Sequence, residues 1–319
     1  GGYMVLNGSL ALGDFWMVSA YVGLVYGPLQ WFAQINNWFS RAMAGAERIF
    51  ELMDMVPEGR SGDQTLHKVE GHVIFDGVRF GYDKSNPIIK SLSFDVKAGE
   101  MIGLVGHSGA GKSTTINLVC RFYEPDKGRI LVDGIDIKEM SLQEYRAQIG
   151  IVLQDPFLFH GTIAENISYG KPGATMEEVM RAAKAANAHD FVLAKPEGYD
   201  TVVGERGARL SGGEKQRISI ARAILHDPRI LILDEATSSV DVETEKQIQE
   251  AIQNLVKGRT TFAIAHRLST LRNADRIFVL ERGEVVEMGT HEELMAKNGA
   301  FKKLVDVQSQ LSQIIGIGE

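Results

Sequence analysis

One cysteine, Cys120, occurs in 319 residues. A single thiol excludes a disulfide framework and fits a reducing compartment; its expected role is core packing. No Cys/His cluster of metal-binding spacing is present. Positive charge is also short: 34 Lys and Arg face 41 Asp and Glu, for a formal net charge of −7. No basic stripe runs along the chain, which argues against a nucleic-acid partner. There is no low-complexity tract and no repeat of solenoid period. The opening Gly1-Gly2-Tyr3-Met4-Val5-Leu6 has neither an initiating methionine nor the basic start of a secretory signal. We expect a piece of a longer polypeptide.

Charge of either sign is missing between Asp14 and Arg41. Within that stretch, residues 15–35 are long enough to cross a bilayer as a helix. Trp16, Tyr21, Tyr26, Trp31 and Trp38 include candidate interfacial anchors. Gly27-Pro28 predicts a kink, and Gln30, Gln34 and Asn36 would face other helices or a watery path. The competing reading is a buried core helix of a soluble domain. Past Arg41, the recurrence of Ala46, Ile49, Phe50 and Met53 predicts that the helix continues with one apolar face. Arg41 and Arg48 vote for a cytoplasmic end. Pro57-Glu58-Gly59-Arg60-Ser61-Gly62-Asp63 reads as a linker. The expected organisation is therefore residues 1–55 as the end of a transmembrane domain, 56–70 as linker and 71–319 as a second domain.

From Gly71 onward, short apolar runs alternate with helical patterns. Strands are expected at 73–80, 92–96, 101–105, 149–153, 230–233, 261–265 and 276–280. Helices are expected at 114–122, 176–186, 214–226, 242–256 and 291–296. Apolar strands between helices predict an α/β fold with a mostly parallel sheet covered on both faces.

Gly106-His107-Ser108-Gly109-Ala110-Gly111-Lys112-Ser113 fits the phosphate-loop pattern G-x-x-x-x-G-K-[ST]. Its glycines free backbone N–H groups to converge on one anion. Lys112 can reach terminal phosphates, and the Ser113 hydroxyl can ligate Mg²⁺. Thr114 and the residues after it read as a helix, whose positive N-terminus favours phosphate. The alternative, a chance glycine-rich turn, is opposed by the strand before and the helix after. Ile230-Leu231-Ile232-Leu233-Asp234-Glu235 is an apolar strand ending in two acids, delivered to the sheet edge where ligands bind. Asp234 can hold Mg²⁺, and Glu235 can polarise an attacking water. Leu210-Ser211-Gly212-Gly213-Glu214 opens a further helix. Its plain reading is a capping box between Ser211 and Glu214; its sharper reading is a second anion-binding helix tip.

With these motifs in this order, the chain resembles an ATP-binding cassette (ABC) transporter of the exporter type, cut to its last membrane helix and complete nucleotide-binding domain. Residues 106–113 match Walker A, Gln154 the Q-loop, 210–214 the ABC signature and 230–235 Walker B with its glutamate. Ser238-Ser239-Val240-Asp241 matches the D-loop, His266 the H-loop and Tyr82 the aromatic A-loop. The resemblance implies a P-loop ATPase fold with a mainly parallel sheet core and a helical subdomain. It implies that Tyr82 stacks on adenine, that Gln154 approaches Mg²⁺ and water, and that His266 contacts the γ-phosphate. ATP and Mg²⁺ are the implied cofactors. A second half-transporter, identical or not, is the implied partner. Two cassettes pair head to tail, each ATP lying between one Walker A and the other signature. The implied setting is a multi-pass protein among the lipids of the cell membrane, with its nucleotide-binding domain in the cytoplasm. Thr201-Val202-Val203-Gly204-Glu205-Arg206-Gly207 resembles the exporter X-loop, and Phe157-Leu158-Phe159 reads equally as coupling groove or core. Glu214 departs from the family's commoner glutamine. The rivals are a soluble ABC-type ATPase acting on nucleic acid and a non-catalytic nucleotide-binding regulator.

Overall fold

The computed structural model describes residues 1–55, 58, 69–234, 242–264 and 272–315, with residues 308–315 as backbone only. The chain divides into two compact units, residues 1–58 and 59–319.

In the first unit, α1 (Gly2–Leu6) leads through Gly8 into α2 (Leu12–Met53). α2 runs 42 residues, which is about 63 Å at the α-helical rise. Pro28 lies within it and does not end it, and no residue of α2 is buried. Trp16, Tyr21, Trp31 and Trp38 are all more than half exposed. The expected span over 15–35 is corrected here: no helix among the described residues is long and apolar enough to cross a membrane. Length is not the shortfall in α2. Gln30, Gln34 and Asn36 interrupt the aliphatic run, and the indole and phenol groups of Trp16, Tyr21 and Tyr26 add polar atoms.

Among the described residues, the second unit holds two sheets. β1 (Val73–Phe80), β2 (Ile89–Val96), β4 (Lys127–Val132) and β5 (Ile135–Asp136) form one, in the order β2-β1-β4-β5, with every pairing antiparallel. β3 (Met101–Val105), β6 (Ile149–Val152), β7 (Ile230–Asp234), β8 (Thr260–Ile264), β9 (Arg276–Glu281) and β10 (Glu284–Gly289) form the other. Its order is β10-β9-β3-β8-β7-β6, parallel except for the β9–β10 hairpin. The expected parallel sheet is therefore present, but β1 and β2 lie outside it. An apolar run states burial, not the direction of its partner.

Side-chain alternation sorts the second sheet into two cores. Ile102, Leu104, Ile230, Ile232, Phe262, Ile264, Phe278 and Leu280 point into the core shared with the antiparallel sheet. Phe94 bridges the two, stacked on Phe75 at 4.4 Å and tilted against Phe278 at 5.2 Å. Met101, Val105, Leu231, Leu233, Ala263, Ile277 and Val279 point to the opposite, helical side. That side is covered by helices that include α5 (Ile163–Ser168), α6 (Met176–Ala185), α8 (Gly212–His226) and α9 (Val242–Val256), after the short α4 (Leu142–Arg146) and with the short α7 (His189–Leu193) between α6 and α8. α10 (His291–Lys297) and α11 (Ala300–Ile315) end the described chain.

The chain enters this unit under tight control. The Asp133 carboxylate accepts from the backbone N–H groups of Glu70 at 2.8 Å, Gly71 at 3.1 Å and His72 at 2.8 Å. The linker expected over 57–63 lies outside the described residues, save Glu58.

Candidate functional site

β3 is buried along its whole length and delivers the chain to Gly106. Gly106, Gly109 and Gly111 then take φ values of 152°, 78° and 107°. Gly106 also admits no side chain, because a Cβ there would lie 2.3 Å from the Leu280 carbonyl oxygen; at Gly111 a Cβ would press on the tip of Ile89, 2.7 Å from its Cδ1. Glycine is thus favoured by conformation at all three positions and required by space at Gly106. α3 (Lys112–Val119) starts directly from this loop, so its free N–H groups sit at the loop's mouth. The expected helix over 114–122 begins two residues earlier and stops at Val119. Arg121 adopts φ 51°, and the N–H groups of Arg121 and Phe122 bond back to Leu118 and Asn117 carbonyls at 3.0 and 2.9 Å. This is a Schellman stop. Cys120, the helix's C-cap, is buried, which pushes its thiol pKa up to about 12 and leaves it unreactive.

Lys112 is only 7% exposed. Its ammonium folds back into the loop and donates to the Gly106 carbonyl at 2.7 Å and the His107 carbonyl at 3.1 Å. Burial lowers its pKa, and the Asp234 carboxylate opposes that shift. The sheet register explains why Asp234 is near. Asp234 ends β7 opposite Ile264 of β8, and Ile264 in turn pairs with Leu104, two residues before the loop. His107, Ser108, Gly109 and Ser113 are exposed around the same mouth, while Ala110 and Thr114 are buried beneath it.

Gln154 follows β6, whose Val152 pairs with Leu233 of β7, and its side chain is exposed. The neighbouring Leu153 carbonyl accepts from the buried Gln216 amide of α8 at 3.3 Å. Gln216 was not among the expected residues. Its position inside a helix gave no sign that it would tie α8 to the segment after β6.

Tyr82 stands with its ring edge-on to Phe80 and Tyr123, at 5.2 and 5.0 Å. Its hydroxyl accepts from Asn117 of α3 at 3.1 Å, and half of the residue stays exposed. The fold thus brings Tyr82, the glycine loop, Lys112, Asp234 and Gln154 to elements around one sheet edge.

The Ser211 tip is built on different elements, since α8 packs on α5, α6, α9 and β6. The capping box between Ser211 and Glu214 forms in full. Ser211 Oγ accepts from the Glu214 N–H at 3.2 Å, and Glu214 Oε2 accepts from the Ser211 N–H at 2.9 Å. Glu214 Oε1 also pairs with Lys195 Nζ at 2.8 Å. Burial pushes the Glu214 pKa up, but the Lys195 and Ser211 bonds outweigh it and hold the pKa lowered. Ser211 and Gly212 are exposed and Gly213 is buried.

In the segment before α8, Gly204 and Gly207 take φ values of 77° and 70°, and Glu205 lies exposed in a 3₁₀ turn between them. The 157–159 segment splits its two readings: Leu158 is fully buried, while Phe157 and Phe159 are 47% and 40% exposed. Phe159 stacks on Tyr169 at 4.3 Å, with the Arg222 guanidinium over both rings. Glu235, the 238–241 motif and His266 lie outside the described residues. Among the described residues, no group of three or more His, Cys, Asp or Glu could hold a metal ion.

Residues 89–238 match the family model "ABC transporter". The chain is 48% identical over 310 residues to an ATP-dependent lipid A-core flippase of Syntrophus aciditrophicus, covering 97% of this chain and 51% of the relative. It is 47% identical over 315 residues to a putative multidrug export ATP-binding/permease protein of Bacillus subtilis, covering 97% and 54%. Among solved structures it matches a bacterial Atm1-family ABC exporter with ATP bound, at TM-score 0.78 and 41% identity, covering 96% of this chain and 55% of the other. The chain spans about half the length of the curated relatives it matches. It carries an ABC transporter ATPase domain and is similar over nearly its whole length to ABC exporter ATP-binding/permease proteins.

Proposed function

We propose that this chain is the ATP-binding and ATP-hydrolysing part of an ABC exporter. One observation carries the reading: a buried ammonium, Lys112, held inside a glycine loop within electrostatic reach of the Asp234 carboxylate. Its bonds go to neutral carbonyls. A triphosphate offers the same ammonium charged partners, whose hydrogen bonds are roughly twice as strong. The loop N–H groups and the start of α3 bind the phosphates, and Tyr82 receives the adenine on its exposed side.

The donors fit Mg²⁺. Ser113 supplies an exposed hydroxyl and Asp234 a carboxylate, and Mg²⁺ is usually held by one or two carboxylates together with substrate phosphates. When bound, the ion neutralises phosphate charge. Gln154 orients water near that site, Glu235 polarises the water for in-line attack, and His266 holds the γ-phosphate. The Ser211 tip, with Gly212, Gly213 and Glu214, receives the nucleotide held by a second copy or a related half-transporter.

α2 exposes large apolar side chains on every side. We take it as the end of the membrane-associated half of a longer protein, covered there by other helices and lipid. The ATPase unit then lies on the cytoplasmic side. Glu205 and the exposed Phe157 and Phe159 are the surface offered to cytoplasmic segments of the longer exporter's membrane domain.

The test is phosphate release from Mg-ATP by the full chain. Release should saturate with ATP and should vanish when the divalent ion is chelated. Release no faster than in buffer, or indifferent to chelation, would overturn the proposal.

A further inference from the structure

The signature of this chain presents a carboxylate, Glu214, at the helix tip proposed to meet a triphosphate. Two like charges facing each other across an interface are costly unless one is neutralised. The structure shows how this one is neutralised. Glu214 Oε2 is engaged by the Ser211 N–H, and Oε1 by Lys195 Nζ at 2.8 Å. The two side chains are 16% and 27% exposed, so solvent screens the pair only in part. The lysine is held at its root as well. Its N–H donates to the Val192 carbonyl, and its carbonyl accepts from the Gly198 N–H, both at 3.1 Å. Pro196 stiffens the backbone that follows. Lys195 therefore reaches Glu214 from a fixed turn after α7.

We propose that Lys195 is a positioning residue of the signature tip: its ammonium cancels the Glu214 charge, so that a tip ending in glutamate accepts the triphosphate as a neutral one would. The inference rests on the reading that Ser211 faces a nucleotide held by another copy. The lowered pKa of Glu214 agrees with it, because the side chain stays ionised and needs a counter-charge.

A charge cycle in the full chain tests it. Lys195→Met should raise the apparent KM for ATP roughly tenfold, with kcat within about twofold. It should weaken the Mg-ATP-driven dimer to the same degree. Lys195→Arg, which keeps the charge, should preserve both. In the Glu214→Gln background, Lys195→Met should shift KM by less than about twofold, because no charge is left to cancel. Lys195→Gln carries the same expectations should the methionine variant not fold. An unchanged KM in Lys195→Met, or a tenfold rise that persists in the Glu214→Gln background, would overturn the role. Ser211→Arg separates the two layers. If it abolishes the dimer while Lys195→Met is silent, only the lysine's role fails. If it leaves the dimer intact, the facing of the tip to nucleotide fails.

Discussion

Lys112→Ala weakens ATP binding by roughly 10–100-fold, measured by titration with Mg-ATP. The size follows from the bonds lost. A hydrogen bond to a charged group contributes about 1.5–3 kcal/mol, and each 1.4 kcal/mol is about tenfold in affinity. The ammonium is already aimed into the loop, donating to the Gly106 and His107 carbonyls, so little reorganisation precedes binding. The Gly106 and His107 carbonyls lose this donor in the variant, so the melting temperature without nucleotide is measured beside the affinity. Unaltered affinity for ATP would remove Lys112 from the site.

Glu235→Gln lowers turnover by at least roughly a hundredfold, the lower end of what a general base contributes. ATP affinity should stay within a few-fold, since the loop, Lys112 and Asp234 are untouched. The variant should also accumulate an ATP-held dimer. Equal turnover in the two proteins would refute the role given to Glu235, and would revive the non-catalytic regulator as a reading. Single-turnover phosphate release with product separation distinguishes slow chemistry from slow release.

Much of this was legible in the sequence for identifiable reasons. The phosphate loop was readable because its chemistry demands glycines at fixed spacing, and the structure supplies a separate steric reason at Gly106. β3 and β7 were readable because a strand buried on both faces is a near-continuous apolar run, and β8 was readable from its apolar Phe262-Ala263-Ile264. Of the antiparallel sheet only β1 and β2 were readable; β4 opens on the exposed, charged Lys127-Gly128-Arg129 and β5 is two half-buried residues long. The end of α3 was misplaced because Arg121, not glycine, takes the left-handed position that stops it. The span over 15–35 was overcounted because a charge-free run is not the same as an apolar one: Gln30 and Gln34 carry no charge and still oppose lipid. The Lys195–Glu214 pair lay beyond the sequence altogether. Nineteen positions apart, with α7 and two 3₁₀ turns nearby in the chain, nothing in their spacing announces contact.

The central claim is a nucleotide shared between two copies, with the glycine loop of one and the Ser211 tip of the other closing on the same triphosphate. The most direct measurement is the structure of the Glu235→Gln chain in complex with Mg-ATP. The account predicts a dimer in which Ser211 Oγ of one copy lies within hydrogen-bond reach of the γ-phosphate gripped by Lys112 of its partner. A nucleotide-bound chain that remains strictly monomeric, with Ser211 open to solvent, would contradict it.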